Sequence, residues 1–327
     1  MDGRLVNCPL CGHDETTYLL TTHDRLHGIA GSWQIRRCHH CVVAFLHPMP
    51  AVEDIGSFYP DDYYAYYPPR VGQRSLFRQL RFDAAAAVNL GYLRRFPRSR
   101  LIDWSNHLFA PVLNIPPYID HGHLLDIGCG SGQYLLNLSQ LGWDVSGVEL
   151  NPKAVEAACQ AGLNVRCATI SQAEYRDQSF DYVRMNDVLE HLPRPDDALR
   201  EIHRILKDCG KVEITLPNLD AWTFDLFGRY WFPLEVPRHL FFYTPDSMRY
   251  LAKMCGFAVE SIVIWSHKEV DVVDSMRYLL AERHPRLLAC VDHPLVWKLY
   301  RKLFALPKAF ATKGGRGSAM TVVLAKI

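Results

Sequence analysis

Leu124-Leu125-Asp126-Ile127-Gly128-Cys129-Gly130-Ser131-Gly132-Gln133 decides how this 327-residue chain reads. The apolar run reads as a buried strand that ends in an acid. Three alternating glycines follow, and a helix opens from Ser131. Glycines there let backbone approach a ligand and take φ values other residues avoid. Such a strand, glycine loop and helix opens a nucleotide-binding α/β sheet. A dinucleotide fingerprint needs glycine at 133, where this chain has Gln133. The Gly-Lys-Ser/Thr of a phosphate-binding loop is absent too.

The next strand ends in a second acid, Gly147-Val148-Glu149. A carboxylate at that place can accept ribose hydroxyls. With this the segment resembles the class I S-adenosylmethionine-dependent methyltransferases. The resemblance implies a Rossmann-like, seven-stranded, mostly parallel α/β sheet with helices on both faces. It implies that the loop wraps the methionine and ribose parts of the cofactor, with Glu149 on the ribose. Asp126, Gly128, Cys129, Gly130, Gly132, Glu149, Leu150, Asn186 and Asp187 are the expected cofactor residues. The family often has an adenine-contacting acid after the third strand. Ala168-Thr169 stands there, and the nearest acid is Glu174.

Cys8, Cys11, Cys38 and Cys41 form two Cys-x2-Cys pairs. Two such knuckles place four thiolates around a tetrahedral zinc ion. The alternative, paired disulfides, is disfavoured in a cytosolic chain. Four thiolates leave no open coordination position, so the expected metal is structural. Binding of about 10–16 kcal/mol is typical of such sites. His13, His39 and His40 read as loop residues, and the other six cysteines as free thiols.

The core is expected to run in order. A helix covers 131–141, a strand 144–148, a helix capped by Asn151-Pro152 ends at Gly162, and a strand covers 164–167. The fourth strand, 180–185, leads into Asn186-Asp187-Val188-Leu189-Glu190-His191-Leu192, which resembles the family's segment at this place. Loops at the carboxyl ends of parallel strands carry ligands. A helix from Pro195 is expected to close at Gly210, and the fifth strand to cover 211–216. After it come an aromatic-rich insertion, a helix capped by Thr244-Pro245, a strand at 258–264 and a final strand at 319–325. The resemblance places that last strand antiparallel beside the fifth. Related bacterial enzymes carry a segment similar to Pro237-Arg238-His239-Leu240.

His239, His191 and Glu190 are the candidate catalytic groups. A histidine titrates near neutrality and can serve as a base toward a hydroxyl acceptor. The alternative for His239 is a hydrogen bond that holds the insertion in place. Residues 58–69, rich in tyrosine and proline, either wall an acceptor site or pin the ribbon. Helices are expected at 74–113. Segments 1–57, 58–120, 121–218, 219–256 and 257–327 are the expected ribbon, cap, cofactor core, insertion and sheet-completing part. Apolar residues at helical spacing with interleaved Lys298, Arg301, Lys302 and Lys308 make 294–312 a candidate membrane-surface helix, with packing on its own domain as the alternative.

The net charge of +1 argues against a dedicated nucleic-acid binder. Met1-Asp2-Gly3-Arg4 does not open like a signal peptide, and no stretch reaches the ~20 apolar residues of a membrane span. A cytoplasmic chain is expected. The expected reaction is methyl transfer to a small-molecule acceptor: a sugar, or a polysaccharide or lipid precursor, at oxygen. Two alternatives stand beside it. One is an RNA methyltransferase that reads nucleic acid with the ribbon. The other is a zinc-dependent binding protein with a vestigial cofactor fold. Some sugar C-methyltransferases also carry a four-cysteine unit, with a different glycine loop. The oligomeric state is not legible.

Overall fold

The computed structural model describes residues 6–59, 115–266, 270–288, 312 and 314–327. The tyrosine-rich stretch beyond Tyr59, the helices expected at 74–113 and the basic helix expected at 294–312 (save Thr312) lie outside them. Among the described residues, no helix is long and apolar enough to cross a membrane.

Among the described residues, eleven strands form two sheets. β1 (Thr16–Thr22), β2 (Trp33–Cys38), β3 (Ala44–His47) and the two-residue β9 (Phe241–Phe242) make one, ordered β1-β2-β3-β9. β4 (His123–Ile127), β5 (Asp144–Glu149), β6 (Asn164–Cys167), β7 (Phe180–Asn186), β8 (Leu206–Pro217), β10 (Phe257–Trp265) and β11 (Ala319–Lys326) make the other. Its order is β10-β11-β8-β7-β4-β5-β6. β4, β5 and β6 pair in parallel, and β11 runs antiparallel to both β8 and β10. The seven-stranded sheet expected from the sequence is therefore present.

The chain divides into two compact units. One comprises 64–184 with 205–210; the other comprises 1–63, 185–204 and 211–327. In the first, Leu124 and Leu125 of β4 are fully buried, because a parallel strand is covered on both faces. Leu135, Leu138, Leu141, Trp143, Leu163 and Val165 pack with Leu124. Each such fully buried leucine contributes about 1.5–3 kcal/mol. α2 (Gln133–Ser139) follows the glycine loop. It starts two residues later than expected, because Gly132 takes a left-handed φ of 83° as its N-cap. α3 (Pro152–Gln160) begins as its sequence dictates: the Asn151 side chain accepts from the amides of Lys153 and Ala154 at 2.9 and 3.1 Å.

The second unit holds α1 (Val52–Ile55), α5 (Trp222–Phe227), α6 (Pro245–Met254) and α7 (Val270–Arg283). The Thr244 side chain caps α6 in a reciprocal box with Ser247. α7 lies in a stretch for which the sequence reading named no element. It holds the insertion through Ser275, whose hydroxyl accepts from the Phe232 amide at 2.8 Å.

One expectation is corrected. The helix after Pro195, α4 (Pro195–Ile205), does not run to Gly210. β8 starts at Leu206, and Gly210 lies within it. A side chain at Gly210 would press on Leu206, with its Cβ 2.7 Å from Cγ, so glycine here serves close packing rather than helix termination.

At Gly132, a Cβ would collide with Leu163, crowd Ala158 at 3.3 Å and force an L residue into left-handed backbone. Gly132→Ala is expected to cost about 1–3 kcal/mol of stability, read by urea titration. An unchanged midpoint would contradict this role.

Candidate functional site

The glycine loop is tied down by Glu149. Its Oε2 accepts from the Gly130 amide at 3.0 Å, and its Oε1 from the amides of Leu150 and Asn151 at 2.8 and 2.9 Å. From the other side, the Gly128 and Cys129 amides donate to the Val148 carbonyl at 2.8 and 3.2 Å. The tip of β5 and the loop after β4 are thus one hydrogen-bonded piece. Gly128 and Gly130 have φ of 68° and 53°, in the left-handed region. Gly147 admits the loop: a Cβ there would lie 2.6 Å from Cys129 Sγ. Burial pushes the Cys129 thiol far up, so it stays protonated.

Glu149 remains half-buried and Gly128 exposed, while Leu150 is 65% exposed. A carboxylate offers about four acceptor positions. Three take these backbone amides, which leaves capacity for a ligand hydroxyl. The residues present therefore fit an adenosyl ligand: backbone that approaches closely, and an acid poised beside it.

Asp126 has another partner. It is 2% exposed, and its Oδ1 accepts from Arg184 Nη1 at 3.1 Å. That guanidinium lies 3.8 Å above the Tyr134 ring. Removing one member of a buried pair of this kind costs about 3–5 kcal/mol. After β6, Glu174 is exposed, while Thr169 and Gln172 bond each other.

The other unit gathers the remaining expected residues. Asn186 and Asp187 are half-buried and bonded to each other, and the Asp187 amide donates to the Thr215 carbonyl at 2.8 Å. Glu190, His191 and His239 each bring a ligand-capable atom within 4.8 Å of the others. Each imidazole sets Nδ1 against a backbone carbonyl, which only accepts and so favours the proton on Nδ1. His191 Nδ1–H donates to the Arg238 carbonyl at 3.0 Å, with the Tyr59 hydroxyl 3.0 Å from the same nitrogen. His239 Nδ1–H donates to the Pro233 carbonyl at 2.9 Å. When neutral, each ring keeps its lone pair on Nε2. His239 Nε2 stands 4.0 Å from Glu190 Oε1, and the two rings meet edge to face at 4.6 Å.

Burial governs the charge here. It pulls His239 and His191 down to about 3, with His239 adding to the effect on His191. It pushes Glu190 well above the usual carboxylate range, reinforced by Asp187. Both imidazoles are uncharged at neutral pH. The charged groups nearby are Arg238, 0% exposed, and Asp24, linked Nη2 to Oδ1 at 3.1 Å. Asp24 also accepts from the amides of Leu26, His27 and Ile29. Tyr59 had a sequence signal, the tyrosine-rich stretch it opens. The ion pairs of Arg238 with Asp24 and Arg184 with Asp126 had none.

The four ribbon sulfurs also lie within 4.8 Å of one another. Cys8 and Cys41 are 3.6 Å apart, Cys11 and Cys38 3.5 Å. A tetrahedral zinc ion with bonds of about 2.3 Å has sulfur–sulfur edges of about 3.8 Å, so the donor set fits. The two knuckles repeat one backbone pattern. Cys8 N donates to His13 O and Cys38 N to Val43 O, with left-handed φ at Gly12 (79°) and Val42 (53°). Hydrogen bonding from Cys41 draws Cys8 down to about 5 and pushes Cys41 far up. Such a cluster holds four negative thiolates only beside a cation.

Sheet order, glycine loop and terminal acid together define the class I methyltransferase fold. Residues 93–262, just over half the chain, match the family described as methyltransferase domain, and the chain belongs to that family. It is an S-adenosylmethionine-dependent methyltransferase. The ribbon lies outside the matched segment. Relatives include the ubiquinone biosynthesis O-methyltransferase of Pseudomonas fluorescens (strain Pf0-1), 28% identical over 52% of this chain and 74% of that protein. Its namesake from Pseudomonas aeruginosa (strain UCBPP-PA14) is 31% identical over 43% of this chain and 66% of that protein. Among solved structures, a SAM-dependent methyltransferase from Archaeoglobus fulgidus is 19% identical, with a TM-score of 0.44 over 73% of this chain and all of that one.

Two predictions follow from this geometry. Glu149→Ala is expected to weaken S-adenosylmethionine roughly 10–100-fold in calorimetry, the loss of about 1.5–3 kcal/mol from charged hydrogen bonds. Unchanged affinity would contradict the assignment. The second concerns acid. Unfolded histidines take up protons below about 6.5, whereas His191 and His239 stay neutral in the fold down to about 3. The unfolded chain therefore binds more protons in that window, and stability falls as pH falls. Glu190, raised in the fold, contributes with the opposite sign, so the comparison of variants isolates the imidazole. The Tm drop between pH 7 and pH 5 is expected to be smaller in His239→Gln than in the wild type; an equal drop would contradict it.

Proposed function

We propose that the protein transfers a methyl group to a hydroxyl of a small-molecule acceptor of the sugar or lipid-precursor class. The observation that carries this is the Glu190–His191–His239 cluster, whose two neutral imidazoles each set Nδ1 on a backbone carbonyl and leave Nε2 as the basic nitrogen. When bound, S-adenosylmethionine supplies an electrophilic methyl group on a sulfonium. Of the expected cofactor residues, Gly128, Cys129, Gly130, Gly132, Glu149 and Leu150 would hold it through the glycine loop and the tip of β5. Asp126 pairs with Arg184, whose guanidinium covers the Tyr134 ring of α2. Zinc on Cys8, Cys11, Cys38 and Cys41 is structural.

His191, the half-buried member of the cluster, takes the acceptor's proton on Nε2. Its Nδ1–H stays on the Arg238 carbonyl, which orients the ring. His239 and Glu190 stand behind it, and burial holds both imidazoles neutral at pH 7, in the form that can accept a proton. Proximity and exclusion of water supply most of the acceleration, an effect worth about 7–11 kcal/mol in favourable cases. The relatives named O-methyltransferase support oxygen as the methylated atom. The neutral charge balance supports a small acceptor over RNA.

The test is a panel of hydroxylated sugars, hydroxylated lipid precursors, amines and RNA with methyl-labelled cofactor. O-methylated small molecules are expected, and His191→Gln is expected to lower kcat by about 10²–10⁴ with little change in KM. Label found on RNA or on nitrogen, or an unchanged kcat, would overturn the reading.

A further inference from the structure

β9 has two residues, too few to persist without a partner. Its partner is β3 of the ribbon, which begins three residues past Cys41. Ala44 pairs with Phe242 and Phe45 with Phe241. One step further on, the Leu46 amide donates to the Leu240 carbonyl at 2.9 Å, while the Leu240 amide donates to the Glu190 carbonyl at 2.8 Å. The Leu240 residue thus joins the ribbon strand directly to the Glu190 turn. Its neighbour His239 belongs to the cluster, and its neighbour but one, Arg238, supplies the carbonyl that orients His191.

A second link runs from the ribbon's β1–β2 connection. Asp24, oriented by three backbone amides, takes one arm of the Arg238 guanidinium, and both side chains are buried. Burial would push an acid up, yet the Ile29 amide and the Arg238 guanidinium hold Asp24 below the usual carboxylate range. Thr22 and Arg25 add hydrogen bonds to the Arg229 carbonyl at 3.1 and 3.0 Å. In the knuckle, the Cys38 amide bonds the Val43 carbonyl next to the start of β3. That bond sets the Cys38–Cys41 knuckle directly against the start of β3.

We propose that the ribbon is the template for the acceptor-side segment Arg238–Tyr243, with Asp24 as a positioning residue for Arg238. The ribbon's metal then governs the order of that segment and leaves the Glu149 loop alone. The inference rests on the proposed acceptor site for its functional meaning. Its structural content is independent of any acceptor.

The experiment is hydrogen–deuterium exchange on the full-length protein, metal-loaded and after chelation, with cofactor calorimetry on both. On chelation, exchange across 238–243 is expected to rise at least tenfold. Exchange across 124–151 and the cofactor Kd are expected to stay within twofold. Asp24→Asn should keep one zinc per chain and an unchanged cofactor Kd, yet raise exchange across 238–243 and cut kcat/KM for the acceptor at least tenfold. Asp24→Glu should recover part of that loss. Unchanged protection of 238–243 after chelation, or a cofactor affinity that falls with it, would overturn the template role. If the wild type methylates nothing in the panel, the proposed acceptor reading fails, while the exchange data still decide the template.

Discussion

The contact between the Glu149 carboxylate and the Gly130 amide constrains the rest of the cofactor half. A glycine loop has little structure of its own, and its left-handed residues are entropically costly to hold. Glu149 joins it to the end of β5 and also binds the first amides beyond that strand. A single side chain thereby sets loop height, strand end and helix approach together. Gly147 is the complement: only an unsubstituted Cα beneath Cys129 lets the loop settle there. The acid expected to address the ligand is thus also the acid that shapes the loop.

The other unit follows a different electrostatic rule. Its two imidazoles are kept uncharged by burial, and the buried Arg238 guanidinium meets Asp24, whose carboxylate also takes three backbone amides. Taking two charges out of water is costly unless the geometry is good and the remaining polar atoms are satisfied. Asp24 meets that condition, with four donors on two oxygens. A pair of this kind specifies one arrangement of the segment that carries it. Here that segment also carries His239 and the backbone carbonyl on which His191 rests.

Local signals in the chain were legible where the physics is local. The strand ends at 149 and 167, the Asn151 and Thr244 caps and the Cys-x2-Cys spacing all read from neighbouring residues, while the antiparallel final strand came from the family resemblance. Gly210 misled because glycine ends helices and also relieves crowding in strands, and only the Leu206 side chain distinguishes the two. The ion pair of Asp126 with Arg184 joins residues 58 apart, and nothing local announces it. The Asp24–Arg238 pair spans 214 residues, and no spacing rule reaches that far. The catalytic candidates were legible as residue types; their tautomers were not, because the Pro233 and Arg238 carbonyls that set them are placed by the fold.

The central claim is that this loop and its acid hold an adenosyl sulfonium donor. Titration calorimetry of the metal-loaded protein against S-adenosylmethionine, a nicotinamide dinucleotide and a nucleoside triphosphate tests it most directly. Saturable binding of the first alone, competed by S-adenosylhomocysteine, is the predicted result. Uptake of either of the others with no response to the sulfonium would contradict it.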